Sequence, residues 1–81
     1  MIQNFDAAVK AWAVSALIGE GVAEGTATTI ATTNLETLEG IAQAKYDAEV
    51  TATEHPSVMA YNIRQAVAEE VRTWTKANLV P

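Results

Sequence analysis

The sequence contains no cysteine among its 81 residues, and its only histidine is His55. Without cysteine the chain can form neither disulfide bonds nor thiolate metal sites. A histidine that acts as a general base or a metal ligand needs partner groups, and its neighbours Glu54 and Pro56 do not supply them. Neither serine, Ser15 or Ser57, falls into a recognisable catalytic set. We therefore predict no catalytic residues, no cofactor, no metal and no enzymatic activity.

Basic residues are also scarce, since five lysines and arginines stand against ten acidic residues and the net charge is −5. Most of the affinity of proteins for nucleic acid comes from lysine and arginine side chains that neutralise phosphates. Anionic membrane surfaces attract basic segments for the same reason. We therefore expect no direct nucleic-acid partner and no membrane partner.

No apolar run approaches the roughly 18 residues of a membrane span. The longest candidate runs from Ala11 to Ile18 and ends at Gly19. A secretory signal peptide would begin with positive charge, whereas Asp6 stands in that position here. We expect no signal peptide; these features favour the cytoplasm or a virion and leave the location open.

The short length predicts one domain over residues 1–81. A chain of this size buries only about 60% of its unfolded surface, so its stability is marginal unless something reinforces it. Because disulfides are excluded, association with other subunits is the usual remaining way to reinforce a small fold. The short length and the absence of cysteine thus favour a homo-oligomer.

The first predicted helix, about residues 4–18, is apolar on two sides. One stripe at helical spacing consists of Phe5, Val9, Trp12 and Ala16, and the second of Ala7, Ala11, Val14 and Ile18. An ordinary surface helix buries one stripe and exposes a polar one. A helix with two apolar stripes has to be covered on both sides, either by other helices of the chain or by another copy or partner.

The segment 21–33 is rich in threonine and contains a single bulky residue, Ile30, in its second half. Threonine is stiff at χ1 and favours extended structure. We predict a loop or a short strand that places Ile30 in the core, with an additional helical turn as the alternative. A lone strand would have no partner, which favours the loop.

Two further helices are predicted, at about 34–53 and 56–77. Thr33 or Asn34 is expected to cap the first of them, with Glu36 in its first turn. Pro56 disfavours helical backbone at the preceding residue and suits the start of a new helix. The predicted fold is all-α, either a small three-helix bundle or a helical hairpin with the apolar N-terminal helix packed against it.

Association is the function that these features favour. We predict a structural or assembly subunit, such as a phage virion component, that binds further copies of itself through the first helix and the C-terminal tail. Tryptophan is enriched at interface hot spots, although it also fills ordinary cores. The candidate interface residues are Phe5, Val9, Trp12, Val14, Ile18, Trp74 and Leu79.

An alternative function rests on the acidic charge. A small acidic protein can act as an inhibitor or adaptor by presenting carboxylates to a basic groove of a larger protein, as a phage-encoded anti-defence protein would. The candidate acidic surface consists of Glu36, Glu39 and Glu49 on the second predicted helix. The competing interpretation is an ordinary solvated helix face.

The segment Glu54–Tyr61 resembles the turn between the helices of secretion needle subunits. The C-terminal pattern of that family is missing, because this chain has Asn78-Leu79-Val80-Pro81 there. We therefore do not infer membership, and the resemblance implies no site residues.

Overall fold

The computed structural model describes the backbone of residues 5–52 and 56–81 and the side chains of residues 5–51 and 62–81. Four helices follow one another in this part of the chain, and it contains no strand: α1 (Phe5–Gly19), α2 (Glu24–Thr33), α3 (Leu35–Ala52) and α4 (Pro56–Asn78). The all-α prediction is confirmed. The predicted number of three helices is wrong, because the threonine-rich segment forms a helix of its own.

Helix α1 ends in a Schellman motif. The amide of Val22 donates to the carbonyl of Leu17 at 3.0 Å, and that of Gly21 donates to the carbonyl of Ile18 at 2.9 Å. Gly21 has a φ of 92°, a left-handed conformation that glycine adopts without steric cost. This motif explains why the helix ends close to residue 18, as predicted.

Helix α2 overturns the prediction of a loop at 21–33. The hydroxyl of Thr28 donates to the carbonyl of Glu24 at 2.9 Å, and that of Thr32 donates to the carbonyl of Thr28 at 2.8 Å. Such bonds give the threonine hydroxyl a hydrogen-bond acceptor within the helix. Ala27 and Ala31 are fully buried. Threonine in a helix costs a few tenths of a kcal/mol per residue relative to alanine. The packing of this stripe of small residues outweighs that cost.

Two residues near the end of α2 bear on the sequence prediction. Ile30 is only half-buried and does not provide the core contact expected of it. The side-chain amide of Asn34 donates to the carbonyl of Ile30 at 2.8 Å, so this residue caps the end of α2. Its backbone carbonyl accepts from the amide of Leu38 at 3.0 Å, and α3 follows almost without a break.

The core lies between α1, α3 and α4. The most extensive packing joins α3 to α4, α1 packs on both of them, and α2 rests chiefly on α1. The core cluster consists of Val9, Ala13, Ala31, Leu38, Ala42, Ile63, Val67 and Val71. Three of these are alanines, so the helices can approach closely. The molecule is elongated, with extents of 40 × 18 × 16 Å.

Candidate functional site: the outer face of helix α1

Helix α1 has a buried side and an exposed side, and both are apolar. Its buried residues are Ala8, Val9, Ala13, Ala16 and Leu17. On the opposite side a shallow depression is lined by Ala7, Lys10, Ala11, Val14, Ser15 and Ile18. We call these six residues the outer face. They include all four members of the second apolar stripe, whereas the stripe that contains Val9 faces the core.

The outer face is open to solvent along most of its length. Ala7, Ala11, Ser15 and Ile18 are exposed, while Lys10 and Val14 are half-buried. Ile18 keeps 46% of its surface accessible, and among the described residues only Val80, at 38%, is another large hydrophobic side chain exposed to a similar degree. No helix of the described chain covers this face.

Lys10 is the only charged residue on the outer face, and in the described part of the chain its ammonium has no ion pair. Two of the other basic side chains have ion pairs: Lys45 lies 3.1 Å from Glu49, and Arg72 lies 3.9 Å from Glu69. Arg64 stacks over the ring of Trp12, 5.3 Å from its centroid. Lys76 lies in the last turn of α4, where the helix dipole favours a cation. Lys10 thus remains a cation at the edge of an apolar surface.

The predicted interface residues separate into three groups. Val9 is completely buried in the described fold and presents no surface there. Phe5, Trp12, Trp74 and Leu79 are partly buried and pack against the core. Only Val14 and Ile18 line the outer face, and of these two Val14 is half-buried and also packs against the core. Two further residues of the outer face, Ala7 and Ala11, belong to the second stripe but not to the predicted interface set.

The predicted acidic residues do not form one surface. Glu49 is half-buried and paired with Lys45 at 3.1 Å. Glu36 and Glu39 lie about 20 Å and 15 Å from it along the helix axis, since a helix rises 1.5 Å per residue. Glu39 instead lies beside Asp6 at the start of α1. Burial raises the pKa of Glu39 above its usual value, and the hydrogen bond with Asp6 and the charges of Asp6 and Glu36 raise it further.

Other sequence predictions concern residues that the structure leaves undescribed. His55 lies outside the described residues, and so does the side chain of Ser57. Within the described residues no three acidic, histidine or cysteine side chains are grouped so that they could hold a metal ion. None of the helices described is both long and apolar enough to cross a membrane.

Comparison of the chain with known families, with curated proteins and with solved structures found no match in any of the three. The site therefore has to be interpreted from its own geometry, as an apolar, nearly uncharged helix face that lacks a partner in the described chain.

Proposed function

We propose that this protein is a non-enzymatic structural or assembly subunit, such as a component of a phage virion or of another assembly, that associates with further copies of itself through the outer face of α1. The observation that carries the proposal is the exposure of this face. Its apolar residues lie in successive turns of α1, with Ile18 46% accessible at the end of the row. Contiguous apolar surface of this kind is typical of interaction sites.

The dimensions of the face indicate how strong the association should be. Helix α1 has 15 residues and is therefore about 22 Å long. Stable complexes bury about 1,200–2,000 Å² in total, which one helix face of this length does not supply alone. Covering the exposed part of Ile18 contributes about 1–2 kcal/mol. We therefore expect reversible association that depends on protein concentration.

Two alanine substitutions test the proposal. Ala11 on the outer face and Ala44 on α3 are both exposed and both lie inside helices. Ala11→Glu places a carboxylate in the proposed interface, whereas Ala44→Glu makes the same chemical change elsewhere. Mass in solution should be measured by light scattering over a dilution series, and helix content by circular dichroism.

We expect the wild type and Ala44→Glu to gain mass as concentration rises, and Ala11→Glu to stay monomeric with unchanged helix content. A wild type that remains a monomer throughout the series would contradict the proposal. An Ala11→Glu variant that associates as the wild type does would show that a different surface is responsible.

A second candidate function is that of an acidic inhibitor or adaptor, and the grouping of Asp6, Glu36 and Glu39 favours it. Here the acidic surface would be this group, since Lys45 already neutralises Glu49. Binding to a lysine-rich peptide should then weaken steeply with salt and should be lost in the double variant Glu36→Lys/Glu39→Lys. Equal binding by the variant and the wild type would exclude this function.

A further inference from the structure

We draw no further inference here: the strongest candidate, the outer face of α1, has no partner in the described part of the chain, and nothing in the structure shows what covers it.

Discussion

The two sides of α1 have similar composition and opposite surroundings. Val9, Ala13 and Leu17 on the inner side are fully buried, whereas Ala11, Ser15 and Ile18 on the outer side are exposed. An apolar pattern thus identifies the surface that can be buried, but whether it is buried depends on how many helices are available to cover it. Helices α2, α3 and α4 cover the inner side, and in the described chain the outer side has no cover.

Truncating neighbouring residues on the two sides of α1 should produce the largest difference in the free energy of unfolding. Leu17→Ala removes a fully buried side chain and should lower the free energy of unfolding by about 3 kcal/mol. Ile18→Ala, one residue away, should lower the free energy of unfolding of the isolated monomer by less than about 1 kcal/mol, because the Ile18 side chain is already half exposed to water. Chemical denaturation at low protein concentration measures both values. Equal losses would mean that Ile18 is covered within the monomer.

Replacing a polar residue inside the core should have the next largest effect on the free energy of unfolding. Thr75 on α4 is fully buried, and its hydroxyl has no hydrogen-bond partner in the described structure. Thr75→Val keeps the shape of the side chain and removes the unsatisfied group, so it should raise the free energy of unfolding by about 1 kcal/mol. The matched change Thr73→Val, on the exposed side of α4, should alter it by less than about 0.5 kcal/mol. A loss of stability in Thr75→Val would mean that the hydroxyl is hydrogen-bonded after all.

Substitution of Arg64, at the edge of the buried side of α1, should have a smaller effect on stability. Arg64 is exposed and stacks over half-buried Trp12 at 5.3 Å from the ring centroid. Arg64→Ala removes this cation–π contact and should lower the free energy of unfolding by about 0.5–1 kcal/mol. Arg64→Lys should recover part of the loss, and thermal melts of the three proteins provide the measurement. No difference between Arg64→Ala and the wild type would show that the contact contributes nothing.

The smallest expected effect is a pH dependence at the start of α1. Because the pKa of Glu39 is raised in the folded protein, the folded state binds a proton more tightly than the unfolded state does. Stability contributed by this group therefore falls as pH rises from the usual carboxylate value through the raised one, and it is regained on acidification. The stabilising effect of Glu39→Gln should be greater at pH 7 than at pH 4, as measured by urea denaturation. Glu70→Gln, at an exposed position of α4, is the control. An equal effect of Glu39→Gln at both pH values would contradict the prediction.

Three of the four helices could be predicted from the sequence to within one or two residues at the ends that the structure describes. Their signals are local: Gly21 provides the left-handed residue that ends α1, and Pro56 begins α4. Helix α2 could not be predicted, because threonine propensity favours extended structure locally. Its helix depends on the burial of Ala27 and Ala31 in the fold, which no local signal reports.

The candidate site was likewise predictable from the sequence only in part. By itself the sequence determined the all-α class, the helical spacing of two apolar stripes on α1 and the acidic balance, because periodicity and charge are properties of neighbouring residues. Only the tertiary structure decided that the stripe containing Val9 enters the core and that the stripe containing Ile18 stays outside. The two stripes are similarly apolar, and the choice between them depends on which surfaces the other helices bring against α1.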